Sequence, residues 1–270
     1  MKLTILGTGN AAVTECYNTC FVLSQTNNSK PQHFLIDGGG GNRILKVLKD
    51  THIALENIHD IFVTHEHVDH ILGIIWLIRM VGQRMNQGKY DGELRIYCHE
   101  ELGEKIQAIA NMTIQQKVCK HMGQRIQFDI IENGAKRQIL DCPVTFFDIA
   151  STKAKQFGFT MQLPDNRKFT CVGDEPYNEA NHEFVENSDW LLHEAFCLYE
   201  EADKFKPYEK HHSTVKEACQ LAEQLQIPNL LLYHTEETHL HERKALYTAE
   251  GKQYYHGNLY VPDDLETFDL

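Results

Sequence analysis

Four apolar runs in this chain each lead into a histidine or an aspartate, and this pattern constrains the fold more than any other feature. The runs are DIFVT before His65, KFTCVG before Asp174, DWLL before His193 and NLLLY before His234. Short continuous apolar runs are typical of buried strands. Because the ends of buried strands meet along one rim of a sheet, where ligands usually bind, these residues are expected to converge. The sequence therefore predicts a site built from distant parts of the chain.

Strand-like runs and helical patterns alternate throughout, which predicts an α/β layered architecture. The strand-like runs are 2–6, 20–24, 33–37, 60–64, 94–98, 125–131, 143–148, 157–163, 168–172, 189–193 and 229–234. The helical patterns are 42–50, 70–83, 100–111, 178–187, 214–226 and 241–249. Since repeats and Pro/Ser-rich linkers are absent from the sequence, residues 1–270 are expected to form one domain with a helical excursion at about 99–124.

The charge balance disfavours whole classes of partner. The chain has 270 residues, with 26 Lys and Arg against 38 Asp and Glu, and a formal net charge of −12. Residues 1–140 carry 15 basic and 14 acidic side chains, whereas residues 141–270 carry 11 and 24. Nucleic acids and membrane surfaces are anionic, so such a chain is a poor nonspecific binder of either.

Two further features bear on location and redox state. No apolar run of about 18 residues and no signal-like N-terminus is present, which predicts a cytoplasmic protein without a membrane partner. The eight cysteines are scattered without a Cys-x-x-Cys pair, so we expect reduced thiols that mostly fill the core. A metal site at Cys16 and Cys20 is the alternative, but no second Cys/His pair accompanies them.

Histidine occurs 16 times, and its densest cluster is THEHVDH at residues 64–70. The cluster follows a strand-like run and precedes a helix expected to begin at His70. Alternate side chains of extended backbone share a direction, so His65 and His67 can hold one metal ion. Asp69 and His70 turn with the helix and can hold a second ion. The alternative interpretation is a solvated histidine-rich loop in which Asp69 caps the helix.

His65, His67, Asp69 and His70 match the His-x-His-x-Asp-His signature, and the chain therefore resembles the metallo-β-lactamase superfamily. The resemblance covers nearly the whole chain, because LGTG at 6–9, LIDGGGG at 35–41, Gly173-Asp174 and His234 follow in the superfamily's order. Within the superfamily the chain is most similar to the ribonuclease Z branch. LHEA at 192–195 resembles its His-Glu-Ala-Thr motif, and HST at 212–214 resembles its His-Ser-Thr motif.

The resemblance implies a four-layer αββα sandwich and a metal-dependent hydrolase that binds one or two divalent ions, zinc foremost, with manganese or iron as alternatives. The implied metal ligands are His65, His67, Asp69, His70, Asp174 and His234, with Asp174 bridging both ions. Paired ions lower the pKa of a bound water and act as a Lewis acid. In this scheme Asp69 is the general base, and His212 with Glu194 protonates the leaving oxygen. Asp37 is expected to support the ligands.

The residues around His212 allow two interpretations. Thr214 and Glu217 have capping-box spacing, which places His212 just ahead of a helix N-terminus, where the dipole disfavours the imidazolium. This setting suits a catalytic histidine. The alternative is that His193, Glu194, His211 and His212 only hydrogen-bond loops together.

One metal-ligating histidine that the superfamily has is missing from this sequence. A third histidine for the first ion belongs a few residues before Gly158, but residues 148–155 read DIASTKAK. The first ion would keep only His65, His67 and the bridging Asp174, one protein ligand fewer than the superfamily supplies there. Water, an oxygen of Asp148, Ser151 or Thr152, or a histidine such as His99 or His182 could complete the site. We expect the first ion to bind more weakly than the second.

The resemblance also bears on the substrate. Transfer-RNA processors of this branch carry a long Gly/Pro-rich basic arm, and nothing comparable occurs here, so a small or short phosphodiester is favoured over transfer RNA. Lys153 and Lys155 could hold a phosphate or simply be solvated. The alternatives are a lactone or thioester hydrolase, a di-iron protein, which would carry Glu in place of His67, and a degenerate non-catalytic metal-binding module. A homodimer is one oligomeric state that the resemblance implies.

Overall fold

The computed structural model describes residues 1–27 and 30–270. The strands are β1 (Lys2–Gly7), β2 (Cys20–Asn27), β3 (Lys30–Ile36), β4 (Ile58–Phe62), β5 (Leu94–Cys98), β6 (Ile126–Ile130), β7 (Lys136–Ile139), β8 (Cys142–Asp148), β9 (Phe157–Gln162), β10 (Lys168–Cys171), β11 (Trp190–Glu194), β12 (Asn229–Tyr233), β13 (Asn258–Tyr260) and β14 (Thr267–Asp269). The α-helices are α1 (Arg43–Asp50), α2 (Val68–Asn86), α3 (Glu100–Thr113), α4 (Gln116–Cys119), α5 (His182–Val185), α6 (Ala202–Phe205), α7 (Val215–Gln224) and α8 (Arg243–Gly251).

The chain divides into two compact units, which are described separately. Unit 1 comprises Met1–Gly7, Tyr17–Glu132 and Leu265–Leu270, and unit 2 comprises Thr8–Cys16 and Asn133–Asp264. Each unit contains one mixed seven-stranded sheet with helices, which agrees with the predicted α/β class. The expectation of a single domain stays a prediction. Helices α3 and α4 occupy the segment predicted as a helical excursion.

Unit 1 has the strand order β14-β1-β2-β3-β4-β5-β6, with parallel pairing from β3 to β6. Leu35, Ile61 and Ile96 are successive cross-strand neighbours, and all are fully buried. Apolar residues of α1, α2 and α3, among them Val47 and Ile74, pack into the same core. Each fully buried aliphatic side chain contributes about 1.5–3 kcal/mol, so this core holds α2 firmly on the sheet.

Unit 2 has the order β13-β12-β11-β10-β9-β8-β7, and strands β10 to β13 are parallel. Leu191 and Leu230 pair across β11 and β12 and pack with Ala218 and Ala222 of α7. The predicted capping box of α7 is confirmed, because the Glu217 carboxylate accepts the Thr214 N–H at 2.8 Å and the Thr214 side chain accepts the Glu217 backbone N–H. In each unit, therefore, the carboxyl ends of the parallel strands lie at one edge of that unit's own sheet.

The predicted elements are found, with differences at sheet edges and in several helices, among them the short helix α6, which was not predicted. The short strands β7, β13 and β14 were not predicted, and all three are edge strands of three or four residues. Such strands are specified by pairing with a neighbour more than by their own pattern. The helix predicted at 178–187 forms only a 3₁₀ turn and the four-residue α5. Helix α2 begins at Val68, two residues before the expected start.

Two expectations from composition can be compared with the structure. All eight cysteines are free and buried, as expected of core thiols. Among the described residues, no helix combines the length and the hydropathy that a membrane crossing needs.

Candidate metal centre

The histidine cluster of unit 1 follows β4 and enters the first turn of α2. His65 Nε2 and His67 Nδ1 face each other at 2.7 Å, and the ring centroids of His65 and His70 lie 4.1 Å apart. His70 Nε2 lies 3.3 Å from Asp69 Oδ2. His67 occupies the N-cap position and Asp69 lies inside the helix, so Asp69 does not serve as the cap. The four predicted ligands of this unit therefore lie together, with nitrogen and oxygen donors close enough to share bound metal.

Asp37, at the end of the neighbouring parallel strand β3, holds this cluster in place. Its carboxylate lies 2.7 Å from His70 Nδ1 and accepts two hydrogen bonds from Thr64, through the backbone N–H and the hydroxyl, both at 2.8 Å. A carboxylate on one imidazole nitrogen orients the ring and makes the other nitrogen a better ligand. Asp37 has a φ of +58°, a strained conformation of the kind that functional sites retain. This geometry agrees with the supporting role expected for Asp37.

The glycines after Asp37 allow this loop to contact α2 at backbone distance. Gly38 N–H donates to His70 O at 2.9 Å, and Gly73 N–H donates to Gly39 O at 2.8 Å. A Cβ on Gly73 would lie 1.7 Å from Gly38 O. The contact is between two backbones, so a side chain cannot relieve it by changing rotamer. The absence of a side chain at residue 73 therefore sets how closely the helix approaches the loop.

Replacing Gly73 by alanine is expected to lower the free energy of unfolding by about 3 kcal/mol, because the added methyl group overpacks a rigid backbone contact. Urea unfolding of the two proteins measures the change. Gly41→Ala is the matched control, since a Cβ at Gly41 meets nothing within 4 Å and its φ lies outside the left-handed region. Equal stability of the Gly73→Ala variant and the parent protein would contradict the assigned packing.

In unit 2, the ends of β10 and β12 bring Asp174 and His234 together. His234 Nε2 lies 3.5 Å from Asp174 Oδ2, and both residues are buried. Gln156 donates from Nε2 to Asp174 Oδ1 at 2.5 Å. The hydroxyl of Tyr233 donates to the Gly173 carbonyl and anchors the loop. The sequence analysis missed Gln156. The one feature that could have indicated it is its position, as a polar residue directly before the apolar strand β9.

Glu194 and His212 form a buried pair beside these two residues. Glu194 is fully buried, and its Oε1 accepts the Ser213 N–H at 2.5 Å. Its Oε2 lies 3.6 Å from His212 Nδ1, and neither atom has a hydrogen-bond partner among the described residues. The His212 ring is 5.1 Å from the His234 ring, centroid to centroid, and stacks on Phe196. Catalytic hydrogen bonds are often long before substrate binds, so the 3.6 Å gap suits a proton-exchanging pair.

Burial controls the protonation of this pair. Burial, and secondarily the neighbouring His234, lowers the pKa of His212 to about 3. Burial also raises the pKa of Glu194 well above its ordinary value, against the Ser213 hydrogen bonds. The uncharged imidazole agrees with the sequence expectation, but desolvation is the main cause rather than the dipole of α7.

The other residues weighed from the sequence are engaged within their own units. His193 Nδ1 contacts the Glu194 carbonyl at 2.6 Å and its Nε2 accepts from Tyr177 N at 3.2 Å, so His193 braces loops. His99 Nδ1 accepts from Leu102 N at the start of α3, and His182 lies beside Glu179 and Glu186.

The oxygens considered as substitutes for the missing histidine also have partners within unit 2. Asp148 accepts from Ala150 N at 2.8 Å, and Ser151 donates to Glu175 at 2.7 Å. Thr152 contacts His211 Nδ1 at 3.1 Å. Lys153 donates to the Lys210 carbonyl, and Lys155 lies over the Phe157 ring.

A cleft of about 450 Å³ in unit 2 has His212 in its wall. Tyr177, Asn178, Tyr208 and His211 also line it. Sites for small molecules typically measure about 300–1,000 Å³ and combine aromatic surfaces with a few polar groups. The cleft is therefore of a size and composition that suit a small molecule next to His212.

Known proteins show similarity over the full chain. Ribonuclease Z of Bacillus cereus (strain B4264) is 22% identical, with 100% of this chain and 99% of that protein covered. The metallo-β-lactamase fold protein YhfI from Bacillus subtilis is similar with a TM-score of 0.78 and 17% identity, covering 99% of this chain and 98% of that one. Zn²⁺-bound PqqB from Methylobacterium extorquens is similar with a TM-score of 0.74 and 12% identity, covering 100% of both chains.

The two sheets with their helices, the signature cluster and these relatives define a metallo-β-lactamase-fold hydrolase related to ribonuclease Z. This result confirms the superfamily and fold that the signature implied, and the histidine and aspartate clusters fit divalent metal. The chain belongs to the family described as Anti-Pycsar protein Apyc1, whose family model matches residues 1–254.

Proposed function

We propose that this hydrolase is a metal-dependent phosphodiesterase that acts on a small or short phosphodiester. The observation that carries the proposal is the Glu194–His212 pair next to Asp174 and His234 in unit 2. Cleavage of a phosphodiester releases an alkoxide, which needs a proton, whereas opening of an activated thioester does not. A buried proton-exchanging pair beside candidate metal ligands therefore favours phosphodiester cleavage over thioester hydrolysis, and the substrate panel below separates it from lactone opening.

The residues proposed to hold metal are those that the family resemblance implies. They are His65, His67, Asp69, His70, Asp174 and His234. Imidazole nitrogens and carboxylate oxygens suit zinc, and also manganese or iron. When bound, such metal supplies a water of lowered pKa and neutralises the charge that develops on the phosphoryl oxygens.

The protein's own groups have distinct roles in this proposal. Asp69 orients the attacking water and accepts its proton at a carboxylate oxygen. His212 gives the proton of its other ring nitrogen to the leaving oxygen while the Glu194 carboxyl gives a proton to His212 Nδ1, so that the imidazole stays neutral. Asp37 and Gln156 are positioning residues, because each contacts a candidate ligand, Asp37 at His70 and Gln156 at Asp174.

Two observations support a small substrate. The cleft beside His212 has a volume of about 450 Å³, which accommodates a molecule of nucleotide size. Residues 141–270 carry 24 acidic against 11 basic side chains, which disfavours a long polyanion such as transfer RNA.

The test is hydrolysis of bis(p-nitrophenyl) phosphate, a dinucleoside phosphate, a precursor transfer RNA and a panel of lactones and thioesters, with added Zn²⁺ or Mn²⁺. Turnover of the first two at rates far above the others is the expected result. Preferential turnover of lactones or thioesters would overturn the phosphodiester assignment. Absence of turnover with either metal would leave a non-catalytic metal-binding module as the interpretation.

The missing histidine leads to a prediction about metal affinity. The first ion has His65, His67 and Asp174 as candidate ligands, and the side chains considered as replacements have other partners. The second ion has one more candidate ligand, so we expect titration with a chelator to remove one ion well before the other. Metal analysis at each chelator concentration measures both affinities. Two ions lost in a single step would refute the expected asymmetry.

A further inference from the structure

A second group of metal-ligating side chains lies in unit 2, and none of its members belongs to the catalytic set above. Glu201 ends a 3₁₀ turn before α6, while Glu236 and His239 lie in the segment between β12 and α8. One ligand atom from each residue lies within 4.8 Å of the other two. Glu236 and His239 lie three residues apart in a turn, outside any helix, and the turn brings their ligand atoms together beside Glu201.

The environment of Glu236 indicates that this group is more than an acidic cluster. Glu236 is only 4% exposed. Its Oε2 accepts the Thr238 N–H at 2.5 Å, but its Oε1 is buried and has no hydrogen-bond partner among the described residues. An uncompensated buried carboxylate oxygen is costly, so its presence on a side chain that belongs to this group calls for a compensating positive charge.

His239 and Glu201 complete the group and are reachable from solvent. His239 Nε2 lies 3.1 Å from both carboxylate oxygens of Glu201, and Lys204 Nζ lies 3.1 Å from Oε1. The side chains of His239 and Glu201 are 26% and 20% exposed. An ion therefore has an entry path, which a metal site requires.

Negative charge accumulates around the group. Burial, followed by Glu236 and Glu201, raises the pKa of the nearby Cys197 thiol to about 12. Two cations in this region are Lys204, already paired with Glu201, and Arg243. The two terminal nitrogens of Arg243 donate to Thr235, Thr8 and the Pro262 carbonyl, and its buried Nε has no hydrogen-bond partner among the described residues. Neither cation donates a hydrogen bond to the unpaired oxygen of Glu236 in the part of the chain that the structure describes.

We propose that Glu201, Glu236 and His239 bind one divalent transition-metal ion. One imidazole nitrogen and two carboxylate oxygens form a donor set that suits Zn²⁺ or Mn²⁺, with water filling the remaining positions. The ion would tie the turn at Glu201 to the segment that follows His234, and so would stabilise the fold at the end of β12. Its role is structural and does not depend on the proposed phosphodiesterase activity.

The experiment counts zinc in the full chain. Wild type, His239→Gln, Glu236→Gln and the exposed control His241→Gln are stripped with chelator, reloaded with excess Zn²⁺ and freed of unbound metal. Wild type and the control are expected to hold one more zinc per chain than the two site variants. Zinc should also raise the unfolding temperature of stripped wild type by more than that of His239→Gln, while hydrolytic turnover stays unchanged in His239→Gln.

Equal zinc content in wild type and in both site variants would overturn the proposal, and Glu236 would then be satisfied by a proton. If the variants do not fold, anomalous diffraction at the zinc edge on the wild-type protein decides the question. A peak among the three side chains supports the site, and the lack of one there refutes it. A variant that loses this zinc but keeps its turnover shows that the ion is distinct from the metal proposed for catalysis.

Discussion

The Asp69→Ala variant is expected to lose phosphodiester turnover by about 10³-fold or more while keeping its fold. Asp69 is assigned two roles, as a candidate ligand and as the base that orients the attacking water. Its carboxylate lies 3.3 Å from His70 Nε2 in the first turn of α2, where no other acid occurs. Removal of the carboxylate therefore affects both metal binding and proton transfer.

Glu66→Gln is the matched control, because Glu66 lies in the same motif but pairs with the half-exposed Lys105. This control should keep most of the turnover, and circular dichroism should show the same fold for both variants. Zinc analysis of Asp69→Ala distinguishes the loss of a ligand from the loss of a base. Turnover retained by Asp69→Ala would remove Asp69 from the mechanism.

The His212→Ala variant is expected to lose about 10²-fold in kcat with little change in KM, because general acid catalysis acts on the transition state. The loss should depend on the leaving group. A p-nitrophenolate group departs easily without a proton, whereas the alkoxide of a dinucleoside phosphate needs one. The ratio of the two losses, measured on the two substrates, therefore reports proton donation rather than a structural defect.

His256→Gln is the control for the loss of a histidine, since His256 is 83% exposed and pairs with Glu223 away from His212. Glu194→Gln should show the same dependence on the leaving group as His212→Ala, because Glu194 acts through His212. An equal loss on both substrates would contradict the proton-donor role and favour the interpretation that these residues only hold loops together.

Local patterns made part of the site predictable. The spacing of His65, His67, Asp69 and His70 is a property of six consecutive residues, and the structure places them around the start of α2 as expected. The capping box at Thr214 and Glu217 is likewise local and is confirmed. The convergence of strand ends was also predictable within each unit, because the carboxyl ends of parallel strands share an edge.

Other features depend on which segments become neighbours. Gln156 contacts Asp174 across 18 positions of chain, and the contact of Gly73 with Gly38 requires α2 to dock on the loop after β3. Glu201 and His239 lie 38 positions apart and meet only in the folded unit. The edge strands β7, β13 and β14 also depend on their neighbours, because pairing with the adjacent strand stabilises them more than their own residue pattern does.

The sequence by itself determined the superfamily, the alternation of strands and helices, and the ligand types, because these follow from residue spacing and apolar periodicity along a continuous segment. The tertiary structure alone decided how Asp37 and Gln156 orient candidate ligands, that burial raises the pKa of Glu194 and lowers that of His212, and where the cleft lies. The physical reason is that desolvation and hydrogen-bond geometry are properties of an environment assembled from distant segments, and no local pattern encodes that environment.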